Sequence, residues 1–496
     1  MRLIIAARRS ELARIQAYQV GDALAALPNI SIEYSFHESL GDRNQTDPLW
    51  QMPEKGVFTS DLREGLLNGQ FDLAVHSWKD LEVEENPDTV VAATLPRADM
   101  RDVLLIRSDR WVDVERTGTL RLLTSSPRRS HNLESFLPEV LPTQLTSLQF
   151  IPVRGNVPTR VRKLSQLDAD GLVVAKAALD RLLATEKSEF AATAAELRRI
   201  LSECRWMVLP LRSNPTAPGQ GALAIEIKRT RNDLRDLLAT INCTETYERV
   251  MRERKILRGF GGGCHQKIGV SVLRRPYGEI TFLRGLAEDG SVLKSDSLCP
   301  SRPLPRRVLR EQMWPQHASE ANWFERAKFR VTIPDVPAAL WISKADALPS
   351  EAQVSPAQIV WASGAQTWRQ LAKRRIWVNG CAESLGEQED PRIETLLGSR
   401  PKWLKLTHAD GFAENGMQTL ATYRLIPANG GPKFDGRTHF FWTSGSGFER
   451  AIALNPWLKQ MTHFCGPGNT QRILERNGVQ PFICLDHSQW LEELPR

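Results

Sequence analysis

Three stretches of the sequence carry paired or near-paired arginines where an apolar run gives way to a helical one. They are Ala7-Arg8-Arg9-Ser10, Thr124-Ser125-Ser126-Pro127-Arg128-Arg129 and Val153-Arg154-Gly155-Asn156-Val157-Pro158-Thr159-Arg160. A helix N-terminus offers free amides and a positive dipole end, so it favours anions and opposes cations. One arginine there reads as a surface charge. Three such turns together predict a cleft for a polyanion, because guanidinium grips carboxylates and phosphates through two parallel hydrogen bonds.

A fourth segment, Phe71-Asp72-Leu73-Ala74-Val75-His76-Ser77-Trp78-Lys79-Asp80, delivers a histidine, a serine, a lysine and an aspartate to the end of a strand. Ligand-contacting groups are displayed at the carboxyl ends of strands in open α/β sheets. A Ser-His hydrolase is excluded, because His76 and Ser77 are neighbours on an extended chain and point to opposite faces. Asp80 reads as a carboxylate held near cations, available for proton transfer or for stabilising a cation; the plain alternative is a helix cap. Gly259-Phe260-Gly261-Gly262-Gly263-Cys264-His265 lacks both the preceding strand and the Lys-Ser/Thr of a phosphate loop. Its glycines predict close approach of a backbone or ligand. Cys264 is either a small buried hydrophobe or a soft nucleophile.

Strand and helix patterns alternate around these segments. Arg2–Ala6, Ser31–Phe36, Phe71–Val75, Leu120–Leu123 and Gln149–Val153 read as strands. Glu11–Ala25, Ser60–Leu67 and Arg160–Leu167 read as helices, with Ser10, Ser126 and Thr159 as N-caps. Such alternation predicts an α/β fold with helices on both faces of mostly parallel sheets. One helix is expected from Asn232 to about Leu257, then strands at Ile268–Leu273 and Glu279–Leu286 in a small α+β domain.

The chain has 496 residues, 41% hydrophobic and 25% charged, which excludes long disorder and predicts several domains. No apolar run approaches the length of a membrane span, and Leu3-Ile4-Ile5-Ala6-Ala7 is too short for a signal peptide, so a cytoplasmic protein is expected. Seven scattered cysteines argue against disulfides and a zinc site; no metal is expected. The net charge of +7 suits an anionic ligand and is too modest and too spread to favour nucleic acid. Ten of the 14 tryptophans lie between Trp314 and Trp490, beyond the proline-rich run Cys299–Arg307, which divides a front part from a back part.

Seven motifs occur in the order in which the porphobilinogen deaminase (hydroxymethylbilane synthase) family carries them, and the front part resembles that family over about residues 1–295. They are Ala6–Ala13, Lys55–Phe58, Ala74–Asp80, Ser125–Arg129, Arg154–Arg160, Pro218–Ala222 and Gly262–Cys264. The resemblance implies two α/β domains like those of periplasmic binding proteins, 1–98 plus 200–220 and 99–199, and a small α+β domain at 221–297 that carries a cofactor. It implies stepwise head-to-tail condensation of four porphobilinogens with loss of ammonia on a covalent dipyrromethane, then hydrolysis to hydroxymethylbilane. The attachment point falls on Cys264 and the catalytic aspartate on Asp80. The carboxylate-binding positions fall on Arg8, Arg128, Arg129, Arg154, Arg160 and Arg181, with Lys55, Ser77, Lys79 and Ser126 lining the same cleft. Two carboxylates about 6 Å apart repel by roughly 3 kcal/mol at an effective dielectric near 20, so a growing oligopyrrole needs such a lining. A monomer acting on a small molecule, without nucleic acid or membrane, is expected.

Residues 298–335 read as a linker and 336–496 as a further α/β unit, with strands at Ala339–Ile342, Ile359–Trp361, Arg375–Val378, Lys402–Leu406, His439–Trp442 and His463–Cys465. Several end in small polar turns, which suit binding more than acid–base work. This part looks like uroporphyrinogen-III synthase, which implies cyclisation of the product, with Tyr423, Ser444 and Thr470 as candidate site residues. The alternatives are an inactive domain that stabilises the front part or, for the front part, an arginine-lined binding protein without catalysis.

Overall fold

The computed structural model describes residues 1–38, 59–261, 266–305, 308–321, 323–334, 338–413, 416–428 and 432–494, so the expectations for Lys55 and Cys264 lie outside the described residues. The front strands are, in chain order, β1 (Arg2–Arg8), β2 (Ser31–His37), β3 (Leu73–Ser77), β4 (Thr89–Ala93), β5 (Asp102–Arg107), β6 (Thr119–Leu123) and β7 (Ser147–Ile151). They continue with β8 (Gly171–Ala175), β9 (Cys204–Val208), β10 (Leu223–Lys228), β11 (Gly269–Arg275), β12 (Gly278–Leu286) and β13 (Val292–Pro300).

An apolar run without alternation belongs inside a sheet covered on both faces. β1 occupies such a place, with Leu3, Ile5, Ala6 and Ala7 shut off from solvent. The first sheet has the order β2-β1-β3-β10-β4, parallel except for β10, which runs antiparallel to β3 and β4. The second has the order β7-β6-β8-β5-β9, with β6 parallel to β7 and β8 and β5 antiparallel to β8 and β9. β11, β12 and β13 form a third, antiparallel sheet. The chain therefore crosses between the first two sheets twice, through residues 94–101 and 209–222.

Pairing corrects two of the expected boundaries. β9, inside the stretch 200–220 expected in the first domain, closes the edge of the second sheet; β10, inside 221–297 expected in the third, sits within the first. Both are short apolar runs, and nothing local in such a run names its neighbour. The single helix expected from Asn232 is two, Asn232–Ala239 and Thr244–Arg258. The break is held by β4's exit, where the Asn242 side chain accepts the Thr94 N–H and the Cys243 N–H reaches the Thr94 carbonyl.

The back part adds β14 (Met313–Trp314), β15 (Phe324–Lys328), β16 (Ala338–Ile342), β17 (Val360–Ala362), β18 (Gly380–Cys381), β19 (Lys402–His408), β20 (Gln418–Pro427), β21 (His439–Trp442), β22 (Thr462–Cys465) and β23 (Phe482–Ile483). They make two sheets, β15-β20-β19-β16-β17-β18 and β14-β21-β22-β23. The stretch 298–335 is therefore more than a linker. It finishes β13, supplies β14 parallel to β21, and supplies β15 antiparallel to β20. Trp314 explains why, since it is buried against Trp323, Phe434 and Trp442. Arg375–Val378 forms no strand; β18 begins two residues later, at Gly380.

The two parts share a core. Trp368 donates its indole N–H to the Val140 carbonyl at 3.1 Å and Trp377 donates to the Trp206 carbonyl at 3.1 Å. Trp341 and Trp361 pack in one cluster with Leu105, Val174 and Leu197 of the second sheet's layers. Among the described residues no helix is long and apolar enough to cross a membrane.

Candidate functional site

The turns after β6 and β7 are tied to each other before any ligand is considered. Ser125 Oγ donates to the Val153 carbonyl at 2.7 Å and accepts the Val153 N–H at 2.8 Å. Ser126 caps the helix Pro127–Val140 by accepting the Arg129 N–H at 3.4 Å, as its position predicted. The cap of the next helix, Val157–Gln166, is Asn156 and not Thr159; Asn156 Oδ1 accepts the Thr159 N–H at 2.9 Å. Pro158 lies in the first turn, where its missing N–H costs nothing, so the helix starts ahead of it. Ser10 precedes the helix Glu11–Ala25, but its hydroxyl makes no capping bond.

Arg128 and Arg129 point inward, 4% and 6% exposed. Both converge on Asp102, the fully buried first residue of β5, at 2.9 and 2.6 Å. Arg128 also donates to Asn214 Oδ1 and the Pro215 carbonyl, and Arg129 to the Val173 carbonyl. Asn214 and Gln220 donate their amides to the same carboxylate at 3.0 and 2.9 Å. The arginine pair expected to meet a ligand thus serves an internal carboxylate first. Burial would raise the Asp102 pKa, but the two guanidinium groups hold it far below the carboxylate range. Two cations on one anion leave an excess of positive charge, and Arg129 Nε is buried with no hydrogen-bond partner among the described residues.

Lys79 and Asp80 end the short turn Trp78–Asp80 that follows β3, anchored by the buried indole of Trp78. Lys79 Nζ donates to Gln220 Oε1 at 3.3 Å. Burial, reinforced by Arg129 and Arg128 and opposed by Asp80 and Asp102, pushes the Lys79 pKa down to about 8. Asp80 is exposed. Arg160, on the other wall, is lowered to about 10 by burial and by Arg129 and Arg154, while Asp80 pulls it back up. Lys79 therefore lies within electrostatic reach of Arg128 and Arg129, and Asp80 of Arg160, so the turn after β3 of the first sheet meets cations carried by the second. Arg8 ends β1, beside His37 of β2.

Other expected residues are engaged elsewhere. Ser77 Oγ is hydrogen-bonded to the Gln16 amide, and His76 meets the buried Glu226 at 2.9 Å. Arg181 straps the lobes together, reaching Gln19 at 3.2 Å and the Gly221 carbonyl at 2.9 Å; burial lowers it to about 10.

Sequence reasoning gave no role to Asp102, Gln220 or the buried pair Arg97–Glu253. Glu253 takes both Arg97 nitrogens at 2.8 and 2.9 Å and also the Gly219 N–H, so it sets the turn that carries Gln220. Gly219 and Gly221 have φ of 80° and 87°, which bulkier residues adopt only with strain, and a side chain at Gly219 would press on Trp78. Asp102 had one signal in the sequence: an acid opening the apolar run Val103-Leu104-Leu105-Ile106 must be buried and paired.

In the back part, Ser444 caps the helix Gly445–Leu454 through the Gly447 N–H at 3.2 Å, and Thr470 lies in the first turn of the helix Asn469–Arg476. Those helices follow the parallel neighbours β21 and β22, so both residues sit at one end of that sheet. Tyr423 lies apart, on β20 opposite Lys328 of β15, buried, with the Arg326 guanidinium 5.9 Å from its ring centre.

The orphaned Arg129 nitrogen and the depressed Lys79 and Arg160 fit a bound group carrying several carboxylates, as a dipyrromethane does. Comparison with known proteins points the same way. The family model described as porphobilinogen deaminase, dipyromethane cofactor binding domain, matches residues 3–236. The porphobilinogen deaminase of Clostridium novyi is 31% identical over 300 residues, 60% of this chain and 92% of that protein. That of Syntrophomonas wolfei is 33% identical over 313 residues, 62% of this chain and 93% of that protein. That of Acidothermus cellulolyticus is 36% identical over 273 residues, 54% of this chain and 74% of that protein. These matches leave the back part uncovered, but they span nearly the whole of the first two relatives. By that measure the chain belongs to the porphobilinogen deaminase family.

Proposed function

We propose that the crevice between the first two sheets is where four porphobilinogens are joined head to tail into hydroxymethylbilane. The observation that carries this is the exposed Asp80 carboxylate set against Lys79 and Arg160, both depressed by burial and by neighbouring arginines. A dipyrromethane held through Cys264 would supply the nucleophilic pyrrole carbon for the first addition, and the ring last added would supply it for each later one. For each porphobilinogen the aminomethyl C–N bond breaks and ammonia leaves. A C–C bond then forms, and the pyrrole carbon gives up its proton. Arg8, Arg128, Arg129, Arg154 and Arg160, with Lys55, Lys79 and the hydroxyl of Ser126, hold acetate and propionate groups. Each such charge-assisted hydrogen bond contributes about 1.5–3 kcal/mol. Ser77 and Arg181 act on the crevice walls, through Gln16, Gln19 and Gly221.

Asp80 stabilises the positive charge that develops on the substrate as ammonia departs, and it manages the pyrrole N–H proton. Asp80→Asn is expected to bind porphobilinogen normally and turn over at least about 100-fold more slowly. Turnover near the wild-type rate, measured on cofactor-loaded protein, ends that role.

For the back part we infer closure of the linear product to uroporphyrinogen III. Support comes from two sheets between which the chain passes twice, from β14 to β15 and from β20 to β21, with Tyr423 on β20 of one sheet and Ser444 and Thr470 at one end of the other. The shared core with the second lobe favours a second reading, a domain that only stabilises the deaminase. Product analysis separates the two. The full chain supplied with porphobilinogen is expected to yield the type III isomer, whereas the spontaneous type I isomer alone identifies a stabilising domain.

A further inference from the structure

Both segments that cross between the first two sheets are gripped by one loop of the back part. Glu383, 9% exposed, accepts the N–H groups of Leu211 and Arg212 at 2.9 and 2.7 Å. Arg101, on the other crossing, donates to the Pro391 carbonyl at 2.7 Å. Just before Glu383, the Asn379 carbonyl accepts the Val208 N–H at 2.7 Å and its amide reaches the Trp206 carbonyl at 3.0 Å. Residues 377–383 thus run along the open edge of β9 into the crossing that follows it.

The loop holds an unusual backbone to do so. Glu383 and Ser384 have φ of 53° and 63°, two successive side-chain-bearing residues in the left-handed region. That conformation persists only where surrounding contacts impose it. A carboxylate is costly to bury unless it is paired, and its partners here are two backbone N–H groups that no apolar side chain could serve.

From Leu211 the bonding continues toward the crevice. The Pro210 carbonyl accepts the Asn214 N–H at 2.8 Å. The Asn214 side chain then holds both Asp102 and Arg128, and the Pro215 carbonyl holds Arg128 at 2.8 Å. We propose that Glu383, a residue of the back part beyond the family match, is a positioning residue for the deaminase. It fixes the 210–215 turn so that Arg128 and Asp102 keep the geometry needed for substrate carboxylates. This rests on the reading of Arg128 as a wall of the substrate crevice.

The test uses the full chain, loaded with cofactor as judged by intact mass, in four forms: wild type, Glu383→Gln, Glu383→Ala and Arg128→Lys. Glu383→Ala is expected to raise KM for porphobilinogen about 10-fold to 100-fold with a smaller fall in kcat. Glu383→Gln, which keeps one acceptor oxygen, should fall between Glu383→Ala and wild type, and its thermal unfolding should stay near that of wild type. A KM within twofold of wild type for Glu383→Ala, with Arg128→Lys raised, overturns the inference alone. Unchanged KM in both removes the crevice reading, and the inference with it. If Glu383→Ala does not fold, Glu383→Gln decides: a lower unfolding temperature with unchanged KM marks a purely structural residue and overturns the proposal.

Discussion

Full-length protein made in a cell with a haem pathway is expected to weigh more than its sequence by two linked pyrroles, and Cys264→Ser to lose that excess. The sulfur of Cys264 follows a run of glycines that lets the chain approach a ligand closely. A thioether survives turnover, so it tethers the lengthening product without becoming its leaving group. Tethering turns each addition into a reaction within one complex, and effective molarities for such arrangements are very large. Cys264→Ser should therefore lose at least about 1,000-fold in turnover. Serine differs by one atom, so the fold and the arginine-lined walls should survive, which separates loss of the tether from loss of structure. Wild-type protein of unmodified mass with full deaminase activity overturns the assignment.

Asp102→Asn is expected to destabilise the protein by about 3–5 kcal/mol, because it removes the carboxylate that Arg128 and Arg129 share and leaves buried charge uncompensated. Chemical denaturation against wild type measures it, and a difference under about 1 kcal/mol would falsify the keystone role. The pH dependence has a definite sign. The arginines hold the folded-state pKa of Asp102 below its unfolded value, so its contribution is present above about pH 4 and is lost as pH falls below that. The stability gap between wild type and Asp102→Asn should accordingly narrow in acid. Asp102→Asn should also bind porphobilinogen poorly, since Arg128, Arg129, Asn214 and Gln220 all take their orientation from that carboxylate.

Much of this crevice could be read along the chain, for identifiable reasons. Helices Glu11–Ala25 and Ser60–Leu67 stand where their apolar spacing placed them, because that spacing reflects a face that must be buried. The Ser126 cap was equally readable, since capping joins residues three apart. Reading failed where two local signals competed. Thr159 and Asn156 are both good caps, and the proline between them decided for Asn156. It failed again for 298–335, where prolines near residue 300 masked two short strands whose partners, β20 and β21, lie about a hundred residues onward.

Residue types and their order were enough to announce an α/β enzyme and its family, and to single out the cysteine and aspartate proposed for its chemistry, because turns, caps and periodicity arise from neighbours a few positions apart. Which charge answers which was a matter for packing. Asp102 meets Arg128 across 26 positions, and Glu383 meets Leu211 across 172. No local pattern selects such a pair, since a buried ion accepts whatever counter-charge the folded backbone brings within about 3 Å. The same holds for the back part. Its tryptophans were visible in the composition, but their place against the second lobe came only from the way the sheets close on each other.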